Sequence, residues 1–237
     1  MIKGRGLLAQ ALYKIDRNDF SFYVNGISNS VMADIPENNF EVLELTEMAK
    51  DIGDKLLIYF STIQVNATEN YSRPYVQHKI KMERLVSNSF SNYVIIRTSN
   101  LVGNNPWNTN TLFNFLYYSL HAQTGISVIE SAIRNVLDVD HFIQLLDYYL
   151  EHFTPKNTTR NIVNPVSFNM AEIVREFENV FSLKFKKNNS SVSIAYFEAP
   201  CEFSLSLMQS CKISLDSYLT KLIEKYYSPI LKSESNN

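Results

Sequence analysis

The chain has 237 residues, 45% of them hydrophobic, enough to bury the core of one large domain or two joined ones, which excludes a disordered or fibrous protein. Its 24 acidic and 22 basic residues give a formal charge of -2 and are spread along the chain, so there is no electrostatic footprint for nucleic acid or an anionic membrane, and a small-molecule partner is indicated. Cys201 and Cys211 are too far apart for a redox pair and have no histidines at metal-ligand spacing, so they read as free thiols in a reducing compartment, with no metal site. No secretion signal opens the chain and no apolar run approaches the roughly 20 residues of a membrane span, so the protein is expected to be cytoplasmic and soluble.

In chain order, short apolar runs predict strands at Met1 to Lys3, Phe20 to Val24, Lys55 to Phe60, Tyr93 to Arg97 and Arg160 to Val163. Between them, apolar residues at three- and four-residue spacing predict helices at Leu7 to Ile15, Glu37 to Ile52, Tyr75 to Ser89 and Asp138 to His152. Such alternation needs crossover connections, so the expected architecture is α/β, a parallel sheet flanked by helices on both faces. After Asn100 the turn cluster Val102-Gly103-Asn104-Asn105-Pro106 opens a second lobe, with helices expected at Thr111 to His121, Met170 to Phe181 and Leu215 to Tyr227. The expected division is a core of residues 1–100, rejoined by 138–165, and an interleaved lobe of 101–137 and 166–237.

Two of only six glycines fall in Gly4-Arg5-Gly6-Leu7-Leu8-Ala9, between the first strand and the first helix. In such a G-x-G-x-x-A turn one glycine permits the bend, the second lets the backbone approach a pyrophosphate, and the small third residue allows close helix packing. A tight turn with no ligand is the plain alternative. The next strand follows so closely that no second βα unit fits, and Asp16, Arg17 and Asp19 do not stand where a ribose-binding acid would, so NAD and NADP both remain open.

The second signal is the apolar strand that ends in Ser61-Thr62, followed by Tyr75-Val76-Gln77-His78-Lys79. Four-residue spacing puts Tyr75 and Lys79 on one helix face, where an ammonium would lower the tyrosine's pKa and reach a nicotinamide ribose. Thr62, at the carboxyl edge of the sheet, would hydrogen-bond the same substrate oxygen. Taken singly, the pair is an ordinary helix spacing, and His78 reads as a solvated helix residue.

With Phe22-Tyr23-Val24-Asn25-Gly26, Val94 to Gly103 and Arg134 to Asp140, these motifs resemble the extended short-chain dehydrogenase/reductases, in particular the NAD-dependent epimerase/dehydratase group acting on nucleotide sugars. Nearly the whole chain is covered, with the motifs in family order. The resemblance implies a Rossmann-like sheet with a small substrate-binding lobe, a catalytic trio of Thr62, Tyr75 and Lys79, and NAD or NADP as cofactor. Gly4, Arg5, Gly6, Leu7, Leu8, Asn25, Gly26, Ser61, Tyr75, Lys79 and Ser99 would border that cofactor. Ser28, Asn100, Asn110 and Arg134 would contact a nucleotide-diphosphate sugar, with the Arg134 guanidinium on the diphosphate; pairing of Arg134 with Asp138 or Asp140 is the bland alternative. Trp107 reads as a lid or sugar-stacking residue, or as core joining the lobes.

The dehydratase branch of that family carries an Asp-Glu pair after its threonine; here Ile63 and Gln64 stand there, which disfavours dehydration. The resemblance leaves a 4-epimerase or a 4-keto-sugar reductase, in a setting such as polysaccharide biosynthesis and with room for a homodimer. Two readings of other classes stay beside it, a catalytically silent binding member and a cofactor-reading regulator.

Overall fold

The computed structural model describes residues 1–28, 34–36, 39–105, 108, 111–187 and 200–234. In order these form β1 (Ile2–Lys3), α1 (Leu7–Leu12), β2 (Phe20–Tyr23), α2 (Phe40–Asp51), β3 (Leu56–Thr62), α3 (Pro74–Ser89), β4 (Tyr93–Thr98), β5 (Asn100–Val102), α4 (Leu112–His121), β6 (Gly125–Ile126), β7 (Ile133–Asp138), α5 (Val139–Phe153), β8 (Thr158–Ile162), β9 (Ser167–Asn169), α6 (Met170–Phe181), β10 (Lys186–Lys187), α7 (Glu202–Ser210) and α8 (Tyr218–Glu234). The five expected strands form one parallel sheet in the order β1-β2-β3-β4-β8. The α/β expectation therefore holds.

Side chains alternate across this sheet with the period of two that strands impose. Leu56 and Ile58 of β3, with Phe20, Phe22, Val94 and Ile96, pack against α1 and α5 through Leu12, Phe142 and Leu145. Leu57 and Tyr59, with Tyr23 and Ile95, pack against α2 and α3 through Leu45, Met48, Met82 and Val86. Helix α1 therefore lies on one face and α2 and α3 on the other, although the strands they join are crossed in one direction. The β1-α1-β2 and β2-α2-β3 crossovers consequently have opposite hand, against a nearly universal preference for the right-handed form. A doubly wound sheet of order 3-2-1-4-5-6 accounts for this: without its second and third strands, α1 keeps its face and feeds directly into the strand next to β1.

Element ends differ from expectation where capping chemistry acts. Helix α2 starts at Phe40 because the Asn39 side chain accepts the N–H groups of Glu41 and Val42. Asn169 and Glu172 form a capping box that starts α6 at the expected Met170.

The lobe adds a β5-β7-β9 sheet and a β6-β10 pair that the sequence reading did not foresee. Strand β7 reads Ile-Arg-Asn-Val-Leu-Asp, with polar residues interrupting the apolar run, and α7 reads Glu-Phe-Ser-Leu-Ser-Leu, which alternates like a strand. The lobe shares its apolar core with the α1/α5 face of the main sheet, since Phe113, Phe177, Leu207 and Tyr227 belong to the same buried cluster. Among the described residues no helix is long and apolar enough to cross a membrane.

Candidate active site

Because all five strands are parallel, their carboxyl ends meet along one edge, where open α/β sheets hold ligands. Between β1 and β2 the chain leaves toward opposite faces, and that divergence opens a crevice walled by Gly4-Arg5-Gly6 on one side and Val24-Asn25-Gly26 on the other. Gly4 is obligatory there: its φ is +151°, and a Cβ would stand 2.7 Å from Val24 Cγ2 and 2.9 Å from the Val24 backbone. Gly6 differs, since a Cβ at that position would meet nothing within 4 Å. Its openness faces outward rather than into packing. Arg5 is exposed, and Leu7 and Leu8 are half-buried against the core.

One strand further in, Thr62 pairs in register with Thr98 and Ser61 with Arg97. The hydroxyls of Ser61, Thr98 and Ser99 are buried with no hydrogen-bond partner among the described residues. Buried polar groups normally find partners, and these three lie together at the carboxyl ends of β3 and β4, whereas the similarly partnerless Ser21 hydroxyl lies within β2. The Tyr75 hydroxyl faces Thr62, and both residues are buried. Burial pushes Tyr75 up to about 12, against the downward pull of Thr62, so at neutral pH it is a phenol and a proton donor.

Lys79 departs from the expected arrangement. Its ammonium donates to Glu41 Oε1 at 3.1 Å and to the Tyr59 hydroxyl at 3.1 Å, and the residue is only 3% exposed. Glu41, fully buried in the first turn of α2, also accepts from Tyr59 at 2.6 Å, from the Ile27 backbone N–H at 2.8 Å and from His78 Nε2 at 2.8 Å. Asn39 uses its carbonyl oxygen to cap α2, so its amide N–H groups face His78 Nδ1 at 3.4 Å, which leaves Nε2 as the ring's donor to Glu41. His78, expected to be solvated, is thus part of a buried cluster. Burial pulls Lys79 down, against the attraction of Glu41 and Glu83. One turn on, Glu83 binds Arg97 of β4 in a two-pronged pair at 2.9 and 2.6 Å. The shared face of α3 that was expected to hold a Tyr–Lys pair is therefore divided: Tyr75 meets Thr62, and Lys79 meets Glu41 instead of lowering the tyrosine.

This packing makes Gly26 a tight position, because a Cβ there would lie 2.7 Å from Glu41 Oε1 and 2.8 Å from Lys79 Nζ. Both atoms are held by several bonds and cannot swing aside, so Gly26→Ala should cost about 1–3 kcal/mol of stability, to be read from urea midpoints.

The remaining expected residues are dispersed. The Asn25 amide is tied to Glu44 at 2.9 Å, Ser28 is exposed, and Asn100 donates to the Asn135 carbonyl at 3.0 Å. Asn110 and Trp107 lie outside the described residues. Arg134 stands two residues before Val136, the register partner of Asn100, and so lies beside the carboxyl end of β4. Its guanidinium donates to the Ile133 carbonyl and pairs with neither Asp138 nor Asp140, which are taken up by Lys225, Tyr226 and Lys14. Burial and then the positive charge of Arg73 pull Arg134 downward, so two guanidinium groups approach each other at the start of α3. Sequence reading missed Arg73 and Glu41, neither of which carries a motif.

An open parallel sheet flanked by helices, with further small sheets and helices beside it, is a fold that the chain shares with solved structures of nucleotide-sugar enzymes. Among solved structures it is similar to RMD from Pseudomonas aeruginosa complexed with NADPH, at 13% identity and a TM-score of 0.67 over 89% of this chain and 81% of that one. It is likewise similar to the UDP-glucose 4-epimerase of Thermotoga maritima with UDP-glucose, at 14% identity and 0.65 over 95% and 82%. The UDP-glucuronic acid 4-epimerase of Bacillus cereus, in complex with UDP-glucuronic acid and NAD, matches at 18% identity and 0.65 over 93% and 79%. No family model matches the sequence, and no curated protein matches it.

The open Gly6, the Gly4 bend and the three partnerless hydroxyls suit the pyrophosphate and nicotinamide portions of the dinucleotides named in those structures. The adenosine portion has no counterpart, since β1 is the edge of the sheet and Asp16 is turned to the opposite end, bound to the N-terminal ammonium.

Proposed function

We propose that the protein is an NAD(P)-linked oxidoreductase or epimerase of nucleotide-diphosphate sugars, with coenzyme along the β1–β2 crevice and sugar nucleotide between that edge and the lobe. The observation that carries this reading is the meeting of buried Thr62 and Tyr75 at the carboxyl end of β3, with the partnerless hydroxyls of Ser61, Thr98 and Ser99 on the ends of β3 and β4. A bound nicotinamide would supply or take the hydride. The chain's own part is positioning and proton transfer: Thr62 orients the substrate oxygen, and Tyr75 exchanges a proton with it. Arg134, with Arg73 beside it and no carboxylate partner among the described residues, is suited to grip a diphosphate through a two-pronged guanidinium contact. Lys79 acts at one remove, by fixing Glu41 and through it the Ile27 N–H of the crevice wall.

Titration with NADH and NADPH, followed by nicotinamide fluorescence, tests the reading. Saturable binding of at least one coenzyme is expected. Gly6→Val should weaken it at least tenfold with little change in thermal midpoint, because the fold has room for the side chain and the ligand would not. If neither coenzyme binds while a UDP-sugar does, the silent-binder alternative, to which the missing adenosine wall already gives some weight, replaces it.

A further inference from the structure

We propose, resting on the NAD(P)-linked reading above, that coenzyme recognition stops at the phosphate. The site takes the nicotinamide mononucleotide half of a dinucleotide and leaves the adenosine half in solvent, so NADH, NADPH and reduced nicotinamide mononucleotide bind alike.

The groups able to bond a ligand run inward from the glycine turn. Gly4 bends the chain, Arg5 and Gly6 are exposed in the turn, and the partnerless hydroxyls of Ser61, Thr98 and Ser99 lie at the ends of β3 and β4. Outward from the turn the sheet stops. The carbonyls of Met1 and Lys3 accept the Phe22 and Val24 N–H groups at 2.8 and 2.9 Å, and among the described residues no strand pairs with the other edge of β1. In a doubly wound sheet the adenosine lies beyond that edge, its ribose hydroxyls bonded by an acid about 20 residues after the glycines.

The carboxylates that could replace that acid are engaged elsewhere. Asp16 bonds the Met1 ammonium at 3.0 Å, and Asp19 directly precedes β2, its carbonyl accepting the Leu56 N–H at 2.9 Å. Both therefore belong to the amino edge of the sheet, opposite the ligand. Glu44 does reach β1, from α2, but its carboxylate accepts from the Tyr23 hydroxyl at 2.8 Å and the Asn25 amide at 2.9 Å, and pairs with Lys3 at 3.4 Å. Those three bonds clamp β1, β2 and the following turn to the helix. The cation between the glycines and β2 that could discriminate a 2′-phosphate is no better placed, since Arg17 is bonded to Asp147 at 2.6 Å and Glu151 at 2.8 Å at the amino edge. A hydrogen bond from a ribose hydroxyl to a carboxylate is worth about tenfold or more in affinity. With these carboxylates engaged, the adenosine adds nothing that a mononucleotide lacks.

The test titrates the full-length protein with NADH, NADPH and reduced nicotinamide mononucleotide by nicotinamide fluorescence, with saturation-transfer NMR on NADH as an independent readout. The three dissociation constants should agree within about tenfold, and Gly6→Val should weaken all three by a similar factor, since each ligand brings a phosphate to the turn. Saturation should reach the nicotinamide protons and leave the adenine protons near the baseline of free ligand. A dinucleotide that binds more than about tenfold tighter than the mononucleotide, or adenine protons saturated as strongly as nicotinamide ones, overturns the inference while the coenzyme reading stands. If no reduced nicotinamide binds in any of the three forms, that reading fails and the inference falls with it.

Discussion

Tyr75→Phe should lower kcat by about 10³-fold, the size of effect that removing a positioned acid–base group produces, with coenzyme and sugar-nucleotide affinities changed by less than about threefold. The hydroxyl faces Thr62, and the ring packs with Val65 and Val76. Phenylalanine keeps that packing, so the loss of the hydroxyl should cost no more than about 1 kcal/mol. Activity and stability should therefore separate at this position. The measurement is a pair of curves, kcat against substrate and unfolding against urea, for wild type and variant. Equal activity would remove Tyr75 from the chemistry.

At Glu41 the large effect is expected on stability. Burial alone would push its carboxyl up, yet the His78 hydrogen bond, the Lys79 charge, the Tyr59 hydroxyl and the Ile27 N–H outweigh it and hold Glu41 down at about 2, against an ordinary 4.5. Glu41→Ala strands an ammonium, an imidazole and a phenol in the core, and should cost about 3–5 kcal/mol, as the breaking of buried ion pairs generally does. The folded-state value lies below the unfolded one, so the carboxylate favours the unfolded chain less than the folded at any pH above about 4.5. That stabilisation, about 3 kcal/mol from the shift, is lost as pH falls from about 5 toward 2. Urea midpoints measured between pH 7 and pH 3 should fall for wild type and fall much less for Glu41→Gln. Parallel curves would mean that the carboxylate is not the acid-sensitive group.

The parts of this arrangement that sequence made legible are those encoded locally. Strands β3 and β4 are continuous apolar runs because they are covered on both faces, and such runs announce themselves. The Gly4 bend is readable because a positive φ against the neighbouring strand admits no other residue. The missing second βα unit could be counted from the 13 residues between Gly6 and Phe20. Glu41 was invisible for the converse reason. It sits among Phe40, Val42, Leu43 and Glu44 like any first-turn acid, and its partners Tyr59, His78 and Lys79 come from a strand and a helix 18 to 38 positions away. Spacing within α3 correctly put Tyr75 and Lys79 on one face, but spacing within a helix says nothing of what a facing helix inserts between them. Strand β7 failed differently, because Arg134 and Asn135 bond to backbone carbonyls and to Ser167 rather than packing in the core, and polar residues conceal a strand's period.

The two-residue strand β1 carries one wall of the crevice and is bonded to the sheet through β2 alone. Beyond that it is held by the partial burial of Ile2 against the core and by two ion pairs, the N-terminal ammonium on Asp16 and the half-exposed Lys3–Glu44 pair, both weak in water. Amide hydrogens of Lys3 to Leu8 should therefore exchange with solvent by local opening, long before those of β3, which is paired on both sides. A ligand laid along the crevice would bridge this loose margin to the rigid centre and slow that exchange. Such protection could be mapped with each candidate nucleotide in turn, so the poorest-held strand of the sheet doubles as the most sensitive reporter of what the protein binds.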